Sequence, residues 1–353
     1  MTEVLLKELN NPDIDWLLAV GQHLTLDPNT VLIRPGQPTG QSTRTLYILL
    51  EGSLTVALAQ ASGWQEIARL SSGEMAGAIP GVDAYGRMAY VATLTECLVL
   101  TIPQAQLQEK LQHDFSFAAH LHRASAVLLS YQLERLIHQL GMNTAILNQP
   151  QLREGLTVFA ELQDSDLDWL IAAGQVQNIT TNTVLVQSDR PVDALHILLD
   201  GALSLSTAQV EQHQLVSAFS IPSERPPEQE FARLSRGEII GETLFVDATL
   251  PNITVRALRD SQVLSIPRWR LAAKLLHDVG FASRFYRVLA MLLANKYQAI
   301  VRRLGRGNQD EHQAISDFTS DSQFLTQVGL AEARFEWMLK RLQAQGTGRE
   351  IQW

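Results

Sequence analysis

The chain states one pattern twice. Glu8-Leu9 and Asp13-Ile14-Asp15-Trp16-Leu17 return as Glu161-Leu162 and Asp166-Leu167-Asp168-Trp169-Leu170. Leu46-Tyr47-Ile48-Leu49-Leu50-Glu51-Gly52 returns as Leu195-His196-Ile197-Leu198-Leu199-Asp200-Gly201, and Ala68-Arg69-Leu70-Ser71-Ser72-Gly73-Glu74 as Ala232-Arg233-Leu234-Ser235-Arg236-Gly237-Glu238. A repeat of this length fixes the number of modules before any chemistry is considered. The offsets between copies locate the loops. Trp16 and Trp169 are 153 residues apart, Leu46 and Leu195 149, and Gly73 and Gly237 164. The first copy therefore carries extra residues near 36–44, and the second an insertion near 209–230 that includes Arg225-Pro226-Pro227. Insertions persist where the backbone is already solvated, so both segments read as loops.

Each copy opens with a short amphipathic helix ending near Gly21 or Gly174. Short alternating runs follow, punctuated by Gly, Pro and Asp: Val31-Leu32-Ile33 and Leu54-Thr55-Val56-Ala57-Leu58 in the first copy, Val184-Leu185-Val186 and Leu203-Ser204-Leu205-Ser206 in the second. Short strands at regular spacing predict a barrel or jelly roll. The runs ending in Ile102-Pro103 and Ile266-Pro267 close each set, because proline cannot donate to a strand ladder. Segments 117–140 and 281–304 contain no internal Pro or Gly and run into Gly141 and Gly305, which reads as a long helix with a stop. Each would reach about 36 Å at ~1.5 Å per residue, more than one small roll can cover, so each is expected to find a partner helix.

Bulk properties narrow the function. No apolar run approaches the roughly 20 residues of a bilayer span, and no signal-peptide pattern opens the chain. With a single cysteine, Cys97, the reading is a cytoplasmic protein, and Cys97 itself reads as small core filler. The net charge of −9 opposes nonspecific binding to nucleic acid, which needs clustered Lys and Arg. His120 and His122 form the only His-x-His pair. At i and i+2 on a helix they point to different faces, which argues against a duplicated metal enzyme of the cupin type. His113-Asp114 and His277-Asp278 read as a helix junction present in both copies.

Short helix, eight-stranded roll and long helix, with the strand–acid–Gly turns at Glu51-Gly52 and Asp200-Gly201 and the Gly-Glu pairs at Gly73-Glu74 and Gly237-Glu238, resemble the cyclic-nucleotide-binding domain of the catabolite-activator family and of kinase regulatory subunits. The resemblance covers about 5–141 and 152–305. It implies a mainly β fold with flanking helices: two tandem jelly rolls, each followed by a long helix, plus a small helical tail. The implied boundaries are 1–141 and 152–305 for the two domains, 142–151 and 306–320 for linkers, and 321–353 for the tail.

In that family a short helix after a Gly-Glu pair cradles the cyclic phosphate, the Glu takes a ribose hydroxyl, and an Arg nine residues later binds the phosphate. The resemblance places Gly241-Glu242 at the ribose half of the second copy, where the Arg position is Pro251. It places Arg87 at the phosphate position of the first copy, where the Glu position is Ala78 and Pro80-Gly81 interrupt the cassette helix. The candidate binding residues are Gly77, Arg87, Gly241, Glu242, Asn252 and Thr254, with Arg256 or Arg259 as substitutes for the missing cation. Two readings stand. One is weak binding of cyclic AMP, cyclic GMP or another small anion, and the other is two retired pockets kept as packing modules. No catalytic or metal site is expected.

The tail, 323–346, resembles the helix-turn-helix of the same regulators, with a Gly329-Leu330 turn and an apolar stripe at Phe335, Met338, Leu339 and Leu342. Residues 349–353 resemble a remnant of the wing. Glu332, Glu336 and Trp337 stand where a reading helix would present small or basic residues, and from Arg302 onward seven basic residues face seven acidic ones. The expectation is a non-enzymatic regulatory or interaction protein, a sensor or scaffold with another protein as partner and an internal pseudo-dimer or homodimer through the long helices. The alternative is a DNA-binding transcription regulator.

Overall fold

A computed structural model of the 353-residue chain describes residues 3–34, 45–60, 63–77, 79–80, 82, 89–139, 159–188, 190–208, 228–241, 245, 253–306 and 322–347. Two compact units divide it, Met1–Met142 with Ala273–Phe324, and Asn143–Ala272 with Leu325–Trp353.

The first unit opens with α1 (Glu3–Glu8) and α2 (Asn11–Val20). Asn10 and Asp13 cap α2 reciprocally: Asp13 N–H donates to Asn10 Oδ1 at 2.9 Å and Asn10 N–H to Asp13 Oδ2 at 3.0 Å. Gly21 ends the helix in extended backbone. Its requirement is space, because a Cβ there would lie 2.5 Å from Leu100 Cδ1 and 2.7 Å from Leu17 O. The strands are β1 (Gln22–Leu26), β2 (Val31–Ile33), β3 (Thr45–Glu51), β4 (Ser53–Gln60), β5 (Gly63–Ser71), β6 (Met75–Gly77), β7 (Ala89–Thr93) and β8 (Cys97–Pro103). They form two antiparallel four-stranded sheets, ordered β1-β8-β3-β6 and β2-β7-β4-β5. Leu49, Leu54, Leu70, Val91, Val99 and Ile102 are buried on the inner faces. Period-two alternation supplies this core, since inward apolar residues alternate with outward polar ones.

The second unit holds α5 (Asp164–Ala173), β9 (Gln175–Ile179), β10 (Val184–Val186), β11 (Ala194–Asp200), β12 (Leu203–Ala208), β13 (Glu228–Leu234), β14 (Ile239–Ile240), β15 (Thr254–Ala257) and β16 (Ser261–Pro267). Its sheets, β14-β11-β16-β9 and β10-β15-β12-β13, repeat the first topology strand for strand. Even the bulge recurs: β3 slips register against β8 between Leu49 and Glu51, and β11 against β16 between Leu198 and Asp200. Each bulge delivers the chain into a left-handed glycine, Gly52 at φ +96° and Gly201 at φ +113°. A Cβ on Gly52 would press within 2.7 Å of the Cys97 sulfur, which is buried as core filler. The tandem eight-stranded rolls followed by helices are as the repeat implies.

In the first unit, α3 (Gln104–His113) leads into α4 (Phe115–Gln139). In the second copy, α6 (Arg268–His277) leads into α7 (Val279–Arg306), and the first compact unit takes in the chain from Ala273, within α6, through all of α7. The two His-Asp pairs are helix junctions. Asp114 accepts from Phe117 N–H at 3.0 Å and Lys110 Nζ at 2.8 Å, and Asp278 accepts from Phe281 N–H at 2.9 Å and Lys274 Nζ at 2.7 Å. These donors hold both carboxyls below the usual aspartate range, the lysine first and the backbone N–H next. The long helices α4 and α7 pack along each other, burying Leu121, Ala124 and Leu128 on one side and Phe285, Val288 and Leu292 on the other. The expected partner for each long helix is the other one within the same chain. Contrary to the expected stop, α7 continues through Gly305 to Arg306.

The tail differs from the sequence expectation. α8 (Ser322–Thr347) is one unbroken helix, with no turn at Gly329-Leu330. An isolated helical glycine costs only about 1 kcal/mol, and burial of Ala331, Phe335 and Met338 along one stripe outweighs it. Residues 348–353, with the proposed wing remnant, lie outside the described residues. Among the described residues no helix is long and apolar enough to cross a membrane.

Candidate functional site

The chain approaches each cassette through the same turn. Gly73 and Gly237 take φ +85° and +90°, and their N–H groups donate to Leu49 O at 2.7 Å and Leu198 O at 2.8 Å. The following glutamates fold back, so Glu74 accepts from Ser71 N–H at 2.8 Å and Glu238 from Ser235 N–H at 2.7 Å. β6 and β14 then lead to Gly77 at φ +101° and Gly241 at φ +87°. A Cβ on Gly77 would collide with Thr45 O at 2.2 Å, so close backbone approach and left-handed geometry both demand glycine there.

Beyond Gly77 the first copy turns sharply. Val82 N–H donates to Ile79 O at 2.9 Å, closing a turn between these two residues. Ile79 and Val82 are both buried. Between β6, this turn and α4 lies a cavity of about 30 Å³, lined by Leu46, Met75, Ile79, Val82, Leu128 and Gln132 among others. That holds roughly one or two waters, an order of magnitude below the ~300 Å³ at which small-molecule pockets begin.

In the second copy Phe245 is buried. Thr254 is buried on β15, opposite Ser206, and its hydroxyl accepts from Ser188 N–H at 3.3 Å. Arg256 donates to Asn182 O at 3.1 Å and Arg259 to Gly201 O at 3.1 Å, so both candidate substitute cations are engaged at roll turns. The structure thus places Gly77, Gly241 and Thr254, each within its own unit. Arg87, Glu242 and Asn252 lie outside the described residues, as do the Ala78 and Pro251 positions.

Sequence reasoning missed the most heavily bonded group at the first cassette. Glu74 is fully buried, and Arg135 from α4 reaches it with Nη2 at 2.5 Å from Oε1. Gln132 Nε2 adds a longer contact at 3.4 Å, and Arg135 Nη1 also donates to Arg69 O at 3.3 Å. Burial pushes the nearby Tyr297 phenol of α7 well above its ordinary value; Arg135 opposes the rise and Glu74 adds to it. The residue entering the cassette, the end of α4 and α7 therefore meet around one buried carboxylate. The counterparts of Arg135 and Gln132 are Ala299 and Lys296, so the second copy lacks this arginine lock. Only the Glu74/Glu238 repeat signals it in the sequence, because the arginine partner stands in one copy alone.

Two histidines fulfil structural roles. His120 Nδ1 lies 2.7 Å from Asp13 Oδ2, tying α4 to α2 beside the Arg123–Glu8 ion pair at 2.7 Å. His122 is buried between α4 and α7, and neither ring nitrogen has a hydrogen-bond partner among the described residues. Burial, reinforced by the Arg287 charge and partly offset by the Ser283 backbone, lowers it to about 3.

A family model described as the cyclic nucleotide-binding domain matches residues 23–114 and again 176–278. No curated protein sequence matches the chain. Among solved structures, the chain is similar to the regulatory subunit of a cAMP-independent protein kinase A from Trypanosoma brucei, at 14% identity over 89% of this chain and 95% of that one, with a TM-score of 0.29. It is similar to the regulatory domain of Toxoplasma gondii PKA with cAMP, at 15% identity over 78% and 89%, TM-score 0.25. A transcriptional regulator from Thermotoga maritima matches at 23% identity over 32% and 77%, TM-score 0.25.

Proposed function

The chain belongs to the cyclic nucleotide-binding domain family, and we propose that it is a non-enzymatic regulatory or interaction protein, a sensor or scaffold, whose two cassettes bind cyclic nucleotides weakly or have lost them. The observation that carries this is the division of one anchoring pair between two copies. Arg87 has no acid at residue 78, and Glu242 has no cation at residue 251. A buried cyclic phosphate without a cation, or a ribose without its carboxylate, forfeits the charge-assisted bonds that give such a pocket its affinity. The turn at Ile79 and Val82 supports the same reading, since a buried apolar turn occupies the start of the first cassette.

The site residues of this reading are Gly77, Arg87, Gly241, Glu242, Asn252 and Thr254, and its ligands are cyclic AMP or cyclic GMP. Its domains are 1–141 and 152–305, joined by 142–151, with 306–320 leading to a tail at 321–353. The tail acts as a packing helix rather than a DNA reader. Glu336 pairs with Arg236, Arg341 pairs with Asp168 at 2.7 Å, and Phe335 packs against Phe159 with centroids 5.0 Å apart and the rings tilted by 59°. The partner is another protein, and the compartment is the cytoplasm.

Thermal-shift titration with cyclic AMP, cyclic GMP and cyclic dinucleotides tests the cassettes. Small shifts abolished by Arg87→Ala or Glu242→Ala are expected of weak pockets, and no shift of retired ones. A Kd in the nanomolar range for any of these ligands would defeat the divided-anchor reading. Retention on heparin at low salt tests the tail, with none expected beyond that of an acidic protein.

A further inference from the structure

The two repeats differ most in chemistry on one exposed helix face. α6 is a single helix, Arg268–His277, with Leu271 buried beneath it. Its outer face carries Trp269, Ala272, Ala273 and Leu276 at i, i+3, i+4 and i+7, all exposed. Trp269 is 69% exposed and Leu276 77%, so both project from the surface as a ridge. The same four positions on α3 are Ala105, Gln108, Glu109 and Gln112, equally exposed but with only one small apolar residue. The fold tolerates polar side chains at these positions, so the apolar stripe of α6 is not a requirement of the core.

Charge completes the pattern. α6 contains no acidic residue, in a chain of net charge −9. At 100° per residue, Arg268 flanks the stripe on one side and Arg270 and His277 on the other, while Lys274 lies further round the helix, paired with Asp278 at 2.7 Å. The Arg270 guanidinium lies 5.2 Å from the Trp269 ring centroid and donates to Ala173 O at 3.1 Å. On α3 the matching flank positions are Gln104, Gln106, Lys110 and His113.

From this we infer that the α6 face is a membrane-surface contact for anionic lipid. The stripe advances only about 10 Å along the helix, at ~1.5 Å per residue. Four side chains over that length fall well short of the roughly 800 Å² per partner of a stable protein interface. A second copy would set this projecting ridge against an identical ridge, with no groove to receive it. A fluid bilayer imposes neither restriction. It accepts a convex ridge, takes Trp and Leu at the acyl boundary and leaves flanking Arg among anionic headgroups. The apolar and basic parts act together, since neither one alkyl ridge nor two or three cations suffices alone.

The test is co-sedimentation of the full chain with phosphatidylcholine vesicles, with and without about a third phosphatidylglycerol. Binding to the anionic vesicles only is expected, falling at least about tenfold between roughly 0.1 and 0.5 M NaCl. Leu276→Glu should lower binding about tenfold, and Trp269→Gln similarly. Gln112→Ala on α3 should bind as wild type. Both stripe positions are solvent-exposed, so an unchanged Tm certifies each variant as folded. The inference is overturned if the wild type ignores anionic vesicles, binds neutral and anionic vesicles alike, or binds equally after Leu276→Glu. It is overturned as well if the wild type forms a concentration-dependent dimer that Leu276→Glu dissolves. Neither cassette enters this test, so its outcome is independent of the ligand titration.

Discussion

Replacing His122 by Leu should make the first unit more stable and markedly less sensitive to acid. The ring is buried between α4 and α7, where the Ser283 backbone is a polar neighbour but neither ring nitrogen makes a hydrogen bond of good geometry among the described residues. Leaving a buried polar group unsatisfied costs about 1–3 kcal/mol, and an apolar side chain of similar volume removes that cost. The pH term is separable. The folded-state value is about 3, against the ordinary 6.5 of histidine. Below pH 6.5 the unfolded chain takes up a proton that the folded chain refuses, so stability falls with pH at up to about 1.4 kcal/mol per unit until the folded value is reached. Between pH 7 and pH 5 the loss from this one residue is roughly 2 kcal/mol, and it stays near that for any folded value well below 5. For a unit of this size that is about 4–8 °C. Calorimetric Tm values of wild type and His122→Leu at both pH values isolate it, because carboxylate contributions are common to the two proteins. The wild type should lose that much more than the variant on acidification. Parallel loss in the two proteins would refute the buried, unpartnered histidine.

Further outcomes follow from single contacts. In the second unit, His196 is buried against Ser265 Oγ at 2.8 Å and lowered by burial to about 4, so His196→Phe should likewise blunt the acid sensitivity of that unit between pH 6.5 and 4, read by denaturant unfolding. Arg135→Ala leaves the buried Glu74 without its cation and should cost roughly 3 kcal/mol, measurable as a lowered urea midpoint. Arg334 Nη1 donates to the carbonyls of Phe159, Ala160 and Leu162 at 2.8–3.1 Å while its Nε pairs with Asp164, so Arg334→Ala should cost about 2–4 kcal/mol and strip amide-exchange protection from α8. Gly329→Ala places a methyl where nothing lies within 4 Å and should stabilise α8 by about 0.5–1 kcal/mol; a loss of stability would argue for a turn there.

The roll was legible from sequence because its information is local and repeated. Alternation in Leu46–Glu51 and Leu195–Asp200, the Gly52 and Gly201 turns, and Pro103 and Pro267 at the sheet exits each act within a few residues, and each occurs twice. The cassette reading rested on single positions, Arg87, Glu242 and Pro251, whose meaning came from resemblance rather than from any physical period. The tail misled because a glycine followed by leucine is a turn signal of at most about 1 kcal/mol, and a stripe of buried residues overrides it. Glu74 with Arg135 was invisible for a different reason. The two are 61 residues apart and meet only once α4 has folded back over β6.

The assignment of α7 to the first unit and of α8 to the second has a practical corollary. Cleaving the gene at the seam between its two halves severs α4 from α7, the helix it lies against. Fragments designed on the sequence boundary should be poorly soluble singly and should recover when co-expressed. Each half carries eight of the sixteen strands, yet the long helix of the first half finds its packing partner in the second half of the sequence.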